Sequence, residues 1–211
     1  MLLEDWTDPG LVAWRTFGDP KPRIAPGPGG GSAFHNNGDR SFESGVVSAK
    51  EFAVDAGLGF EAPVSIPVTR PKWQQLRVGL LANAVLSDNG FTATGCFFAL
   101  PAGEGVTPMT QMAMSAAGDG LMVAAESALR SGGWHRLRIQ IFPDGTCGVA
   151  MDGVGVWRSV NAVDLAVPYA LGLYGHSVGT SILVGPVEVW QGVKAGVNWS
   201  GLETNAGVAK R

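Results

Sequence analysis

Residues 134–157 read WHRLRIQIFPDGTCGVAMDGVGVW, and this stretch decides the fold. Its first half alternates apolar and polar side chains, a pattern typical of a strand with one face on a core and the other in water. The apolar positions are Leu137, Ile139 and Ile141, and the polar positions are Arg136, Arg138 and Gln140. Pro143-Asp144-Gly145 predicts a tight turn, because proline presets φ and glycine accepts a positive φ. Asp152-Gly153 predicts a second hairpin turn, so the stretch indicates a meander of short antiparallel strands.

The composition extends this prediction to the whole chain. The 211 residues include 31 Gly and 13 Pro, and only 16% are charged. Many short strands joined by Gly and Pro turns are typical of an all-β fold, here a two-sheet antiparallel β-sandwich. Because sandwiches of this size form single domains, we predict one domain over residues 1–194 and a tail over residues 195–211.

The net charge and the N-terminal sequence indicate which binding partners and which cell compartment to expect. A formal net charge of -3 offers no broad attraction for phosphates, so we do not expect a nucleic-acid partner. The N-terminus has neither a basic nor an apolar signal region, which predicts a cytoplasmic protein. Residues 165–187 carry no formally charged side chain, but glycine and proline interrupt them, so we predict two buried strands and no transmembrane segment.

Three segments carry further structural predictions. Residues 18–32 are so rich in Gly and Pro that we expect a long irregular loop, a candidate contact surface. Pro63 and Pro67 are expected to limit the strand over residues 58–68 to an edge or a bulged position. Residues 121–130 fit either a helix or a strand.

Cys96 and Cys147 are the two cysteines of the chain. In a cytosolic protein two such thiols are typically reduced core residues, although the sequence leaves open whether they pair. Their wide spacing and the few histidines around them do not suggest a zinc site.

Several motifs together resemble a known superfamily. They are Trp134-His135-Arg136-Leu137, the Pro-Asp-Gly turn, Met151-Asp152-Gly153, residues 169–173 and Val187-Glu188-Val189-Trp190. This combination resembles the concanavalin A-like lectin/glucanase superfamily, which includes laminin G-like modules. The resemblance covers residues 1–193 and implies a two-sheet jelly roll. Such sandwiches serve as sugar binders, glycosidases, interaction modules and spacers, so the fold leaves the function open.

The carboxylates argue against glycosidase activity. Retaining glucanases of this superfamily carry Glu-x-Asp-x-x-Glu on one strand, which places two carboxylates on the same face as nucleophile and acid/base. The chain has no such motif, and Glu61 and Glu188 are isolated within their strands. The histidines lack a nearby nucleophile pattern, and no Gly-x-Ser-x-Gly elbow is present. We therefore predict a protein that is not an enzyme and needs no cofactor.

One cluster could supply metal ligands. Asn36 and Asp39, in Asn36-Asn37-Gly38-Asp39, offer oxygen atoms of the kind that calcium prefers. The same residues suit a left-handed turn, and we favour the turn, so no metal is predicted.

Exposed loops and the tail supply the candidate binding residues. Cations and aromatic side chains on loops can anchor a protein interface or stack on sugars. The tail is small and polar, so we expect it to be flexible or held by a partner. The candidates are Lys21, Arg23, Arg70, Lys72, Trp73 and Trp199.

These residues support three hypotheses about function. The first is a non-catalytic accessory subunit that binds a protein partner or larger complex through its loops and C-terminal arm. The second is a carbohydrate-binding, lectin-like module, based on the superfamily resemblance and on Trp14, Trp73 and Trp157 as loop tryptophans. The third is a peripheral soluble subunit of a bacterial membrane complex, such as a photosynthetic reaction centre with its antenna.

Overall fold

A computed structural model describes most of the chain as strands. The described residues are 2–8, 10–18, 22–35, 44–66, 74–87, 90–102, 110–114, 120–123, 133–159, 162–176, 183–200 and 202. They form two antiparallel sheets, and this part of the chain contains no α-helix. The predicted all-β, two-sheet antiparallel sandwich is therefore confirmed.

Sheet A is the larger of the two. Its nine strands are β1 (Leu2–Glu4), β3 (Arg23–Pro26), β4 (Ser32–His35), β6 (Leu58–Ile66), β11 (Gly133–Ile141), β12 (Cys147–Met151), β13 (Val154–Arg158), β15 (Leu183–Val184) and β16 (Val187–Gln191). The main order is β13-β12-β11-β6-β15-β4-β3, and β16 pairs with both β6 and β1.

Sheet B has seven strands. They are β2 (Trp14–Phe17), β5 (Ser44–Phe52), β7 (Gln74–Ser87), β8 (Gly90–Ala102), β9 (Thr110–Met114), β10 (Gly120–Val123) and β14 (Tyr169–His176). Their order is β10-β9-β8-β7-β14-β5-β2. Residues 120–123 thus form a strand, and the rest of the segment that fitted a helix or a strand, residues 124–130, lies outside the described residues.

The hairpins of residues 134–157 form as the sequence predicts. The N–H of Gly145 donates to the carbonyl of Phe142 at 2.9 Å, which closes the Pro143-Asp144 turn, and Gly145 has φ 80°. At the second turn Asp152 and Gly153 have φ 52° and 79°. Two successive positive φ values define the type I′ turn that fits the twist of a hairpin. The local turn residues therefore fix the β11-β12-β13 meander.

The main core lies between the two sheets. From sheet A the fully buried Leu137, Ile139 and Ile141 pack in it, as predicted, together with Leu80 and Leu171 from sheet B. Apolar area removed from water stabilises the fold by about 25 cal/mol per Å². Alternate residues of both sheets thus build one continuous core.

The expectation of an irregular loop is wrong for part of residues 18–32, whereas Pro63 lies at a bulged position, one of the two expected for it. Arg23–Pro26 does not belong to an irregular loop, because it pairs with β4 in a hairpin whose tight loop is closed by Gly27 N–H donating to Gly31 O at 2.7 Å. Pro63 lies in a central strand, since β6 pairs with β11 on one side and with β15 and β16 on the other. It sits at a bulge, because the register on that side shifts by one residue between β15 and β16, and its carbonyl accepts from Gly185 N–H at 2.7 Å. Pro67 lies outside the described residues.

The uncharged segment 165–187 contains β14 and β15, and β16 begins at its end, so the prediction of two strands is confirmed. Within the described residues, no helix is long and apolar enough to cross a membrane.

Candidate functional site

The outer face of sheet B, which points away from the core, carries a second apolar cluster. In β14 the core side is formed by Leu171 and Leu173, whereas the alternate residues Ala170 and Tyr174 belong to the second cluster. This cluster, the sheet B face, comprises the buried Phe17, Val47, Leu81, Ala170 and Tyr174 and the partly buried Ala84, Leu86, Ala93 and Phe97. An antiparallel sheet of a two-layer sandwich normally turns polar residues outward. The sheet B face departs from that rule.

Glycines allow the large side chains of this face to lie flat. A methyl group at Gly79 would overlap Phe97, and one at Gly172 would overlap Leu81. A methyl group at Gly45 would meet the Cβ of Tyr174 at 2.5 Å. Because these positions have no side chain, Phe97, Leu81 and Tyr174 can lie close against the neighbouring backbone.

An aromatic pair and a cation lie at the centre of the sheet B face. The rings of Phe97 and Tyr174 meet edge to face at a centroid distance of 6.4 Å. The guanidinium carbon of Arg77 lies 5.5 Å from the centroid of the Tyr174 ring. Cations over aromatic faces are attracted by about 0.5–1 kcal/mol at exposed sites. The Tyr174 ring itself is buried, whereas Phe97 and Arg77 are partly exposed beside it.

The outer face of sheet A is organised by ion pairs. Glu61 accepts from Arg136 Nη1 at 2.7 Å and lies 2.6 Å from Arg138 Nη2. The Glu61 and Arg138 side chains are 8% and 9% exposed, whereas Arg136 is 65% exposed. The expectation that Arg136, Arg138 and Gln140 all face water is therefore wrong for Arg138 and Gln140, which are buried.

The segment after β16 causes this burial. Arg138 Nη1 donates to the carbonyls of Lys194 and Ala195 at 3.2 and 2.9 Å. Gln140 Nε2 donates to the carbonyl of Gly192 at 3.0 Å. We call residues 192–200 and 202 the C-terminal strap.

A basic side chain and two tryptophans complete the strap's attachment. Lys194 Nζ pairs with Glu188 at 2.7 Å and lies 4.7 Å from the Trp190 ring centroid. The Trp199 ring meets that of Phe142 edge to face at 5.2 Å. A methyl group at Gly148 would lie only 2.7 Å from Trp199, so the glycine provides the space for that ring. The strap covers the β11-β12 part of sheet A.

Trp199 is thus held by its own chain, and its predicted role in partner binding stays a prediction. The first residues of the predicted tail also contact the sandwich: Asn198 forms a parallel bridge with Val154, and Leu202 lies against Gly155. The domain boundary at residue 194 stays a prediction as well.

Of the remaining predicted binding residues, Arg23 lies within the described part of the chain. Its Nε donates to His35 Nδ1 at 2.8 Å. Burial, and then the charge of Arg23, lower the pKa of His35. Four candidates lie outside the described residues: Lys21, Arg70, Lys72 and Trp73. Of the two described candidates, Arg23 lies in β3 at one edge of sheet A, and Trp199 packs over Gly148 of β12 near the other edge.

Two of the three tryptophans assigned to sugar-contacting loops are core residues. Trp14 in β2 and Trp157 in β13 are both buried in the main core. Trp14 also stacks on Trp6 at 5.2 Å and donates its indole N–H to Glu4 at 2.9 Å. The period-2 pattern around them places these rings inward, so a sugar cannot stack on them.

Three carboxylates of sheet A and its turns, Glu61, Glu188 and Asp152, are bound to neighbours. Register places Glu61 opposite Glu188 on β6 and β16, but Glu61 is paired with two arginines and Glu188 with Lys194. Asp152 accepts from Arg136 N–H at 2.7 Å and lies 2.8 Å from His135 Nδ1. Burial would raise the pKa of Asp152, yet these two hydrogen bonds lower it. A retaining glycosidase needs a carboxylic acid with a raised pKa beside a free nucleophilic carboxylate. The contacts of Glu61, Glu188 and Asp152 do not provide such a pair.

Among the described residues, no group of three or more His, Cys, Asp or Glu side chains could hold a metal ion. Asn36 and Asp39 lie outside this part of the chain.

The sheet B face was missed by the sequence reasoning, although the sequence contains a signal for it. Residues 169–174, YALGLY, and Leu80-Leu81 are apolar at consecutive positions. A continuous apolar run is typical of a strand that is buried on both faces. Such a run on β7 and β14 is the signal that a second apolar face exists on sheet B.

Solved structures share this architecture. The Emp46p carbohydrate recognition domain in its potassium-bound form aligns with TM-score 0.62 and 12% identity, covering 87% of this chain and 91% of that chain. The legume lectin-like domain from Entamoeba histolytica aligns with TM-score 0.55 and 12% identity, covering 85% and 90%. The VIP36 exoplasmic/lumenal domain, Ca2+/Man-bound, aligns with TM-score 0.52 and 11% identity, covering 94% and 91%.

The sequence itself matches no protein-family model and no curated protein. At 11–12% identity the structural likeness shows the fold alone. The two antiparallel sheets, their large shared core and these lectin-like neighbours agree with the motifs of residues 134–190. The chain therefore has the concanavalin A-like jelly-roll fold that its sequence resembles.

Proposed function

We propose that the chain is a non-catalytic binding domain that docks onto a protein partner through the sheet B face. The observation that carries this proposal is the second apolar cluster on that face, which includes the partly buried Leu86 and Phe97. Five members of the cluster are buried at 0–5% exposure, so a partner would contact the face through the partly buried Ala84, Leu86, Ala93 and Phe97. Apolar and aromatic side chains that reach the surface together are a typical mark of an interaction site.

The other outer face is less suited to this task. On sheet A the C-terminal strap already occupies the surface over β11 and β12, and Arg138 holds the strap by two backbone carbonyls. A partner would first have to displace these contacts. The contrast between the two faces favours sheet B.

A larger assembly and a cellular location belong to the same proposal. A non-catalytic domain of this kind would serve as an accessory subunit, and attachment at the cytoplasmic face of a bacterial membrane complex, such as a reaction centre with its antenna, is the specific form we predicted. Co-purification with such a complex would support it, and a chain found only apart from membranes would contradict it.

A pair of neighbouring substitutions tests the docking face. Ala84 belongs to the sheet B face, whereas Val85 is 66% exposed and lies outside the cluster. We expect Ala84→Glu to lower recovery of the partner from source-cell extract at least roughly tenfold, since burying an unpaired charge costs several kcal/mol. Val85→Glu should leave recovery unchanged. Equal loss with both variants, or with neither, would contradict docking through this face.

A glycan is the second candidate ligand. The observation that favours it is the lectin-like neighbours, among them a carbohydrate recognition domain and a mannose-bound domain. The partly buried Phe97 ring offers a surface of the kind on which sugar rings stack. The same variant pair on a glycan array, with and without calcium, separates the candidates. Binding that Ala84→Glu alone removes would favour the glycan, and an array without any signal would exclude it.

A further inference from the structure

The C-terminal strap lies on sheet A in the way that a bound peptide lies on its receptor. Side chains of β11 hold its backbone, and Gln140 donates to the carbonyl of Gly192 at 3.0 Å. Arg138 donates to the carbonyls of Lys194 and Ala195 at 3.2 and 2.9 Å. Hydrogen bonds to main-chain carbonyls do not depend on the side chains of the bound segment. This part of the site therefore recognises a backbone.

Two side chains of the strap occupy defined places on the same face. Lys194 pairs with Glu188 at 2.7 Å, and its Nζ lies 4.7 Å from the centroid of the Trp190 ring. Five residues further along, the Trp199 ring fills the space over Gly148. A carboxylate beside an aromatic ring favours a cation, and the space over a glycine admits a flat ring. The face therefore recognises a lysine followed five residues later by a tryptophan.

The strap also adds to sheet A at its edge. The main strand order of sheet A begins with β13, and Val154 of β13 forms a parallel bridge with Asn198. Pairing of an extended segment with a sheet edge is a common way in which proteins bind peptides. Backbone pairing and side-chain recognition thus occur together on this face.

The closed strap leaves three polar atoms at this junction unpaired. The buried Gln140 Oε1, Trp190 Nε1 and Trp199 Nε1 have no hydrogen-bond partner. The first two are close together, since a methyl group at Gly59 would lie 2.6 Å from Gln140 Oε1 and 2.7 Å from Trp190 Cε2, which is bonded to Nε1. A buried donor or acceptor without a partner costs free energy. The strap is therefore an imperfect occupant, and a segment with a polar group at this point would bind better.

We propose that this face is a peptide-binding site that the C-terminal strap closes in the resting chain. The site, the strap groove, is formed by Arg138, Gln140, Gly148, Glu188 and Trp190. Its ligand is a segment of a partner protein that carries a lysine and, five residues later, a tryptophan. The strap inhibits this binding, because a tethered segment competes at a high effective concentration. The strap groove belongs to sheet A, so the proposal does not depend on docking through the sheet B face.

Fluorescence anisotropy with a labelled synthetic peptide of residues 192–202, GVKAGVNWSGL, tests the proposal on the full chain. Trp199→Ala and Lys194→Ala each remove one contact of the strap and leave the groove intact. We expect the peptide to bind at least roughly tenfold more tightly to Trp199→Ala, and threefold more tightly to Lys194→Ala, than to the wild type. Val193→Ala is the matched control, because Val193 lies in the same strap and is 48% exposed. It should bind the peptide as the wild type does.

Changes in the peptide provide the second arm of the test. A peptide with Trp199→Ala should bind the Trp199→Ala protein at least roughly tenfold more weakly than the parent peptide, and one with Val193→Ala should bind equally well. Three outcomes would overturn the proposal. They are equal affinity for the wild type and both strap variants, binding that survives loss of lysine and tryptophan from the peptide, and no binding to either variant at millimolar peptide. Because the Lys194 side chain is 39% exposed, its variant keeps the test valid if Trp199→Ala fails to fold.

Discussion

At the scale of single residues, the contacts of Glu61 explain how the outer face of sheet A is held. Two arginines share this carboxylate, yet one is buried beneath the C-terminal strap and the other is exposed. Removing one partner of a buried pair leaves a charge without compensation, whereas an exposed pair is screened by water. The two arginines should therefore differ in their contribution to stability.

We expect Arg138→Met to lower the free energy of unfolding by about 3 kcal/mol. The loss includes the two hydrogen bonds that Arg138 donates to the strap. Arg136→Met removes a cation from the same carboxylate and should cost at most about 1 kcal/mol. Urea denaturation measures both values, and equal costs would refute the distinction between the buried and the exposed pair.

The same residues show what the local pattern of β11 could predict. The alternation of apolar and polar side chains correctly assigned Leu137, Ile139 and Ile141 to the core. It could not predict that Arg138 and Gln140 are buried, because the residues that cover them lie more than 50 positions further along the chain. Contacts at that sequence distance leave no periodic signal.

At the scale of elements, turn chemistry is the most predictable feature. Pro143-Asp144-Gly145 and Asp152-Gly153 specify their backbone conformations by themselves, and both turns form. The short strand Arg23–Pro26 was missed because Gly and Pro around it suggest irregular structure, whereas its pairing with β4 depends on tertiary context. Pro63 correctly signalled an irregular position, since it lies opposite the bulge between β15 and β16, but the sequence did not show that the strand is central.

The C-terminal strap allows a test of its own attachment. Trp199 packs on Phe142 and over Gly148, whereas Val193 in the same strap is 48% exposed. We expect Trp199→Ala to lower the free energy of unfolding by about 2 kcal/mol, below the range for fully buried tryptophans because Trp199 is partly exposed. Val193→Ala should stay within about 0.5 kcal/mol.

Thermal unfolding of both variants, followed by partner recovery, separates two roles of Trp199. Loss of stability with unchanged recovery is the result we expect for a residue that attaches the strap. Unchanged stability with lost recovery would instead make Trp199 a partner anchor, as the sequence analysis proposed, and would contradict docking through sheet B alone.

At the scale of the whole molecule, the sandwich presents two unequal outer faces. Composition, turn residues and the motifs of residues 134–190 all predict the same all-β fold, so together they were enough to assign it. The sheet B face did not follow, since its members come from β2, β5, β7, β8 and β14 and meet only after both sheets are assembled. Four of the six loop and tail candidates lie outside the described residues, so their roles stay predictions.

Side-chain footprinting with hydroxyl radicals tests the central claim most directly. The purified chain is compared with the same chain bound in an extract of its source cells. Phe97 reports on the sheet B face, and Trp134, which is 38% exposed on the outer side of sheet A, is the control. Our account predicts that labelling of Phe97 falls at least roughly threefold while labelling of Trp134 stays the same, because a docked partner excludes water from the surface it covers. Protection of Trp134 with unchanged labelling of Phe97 would contradict it.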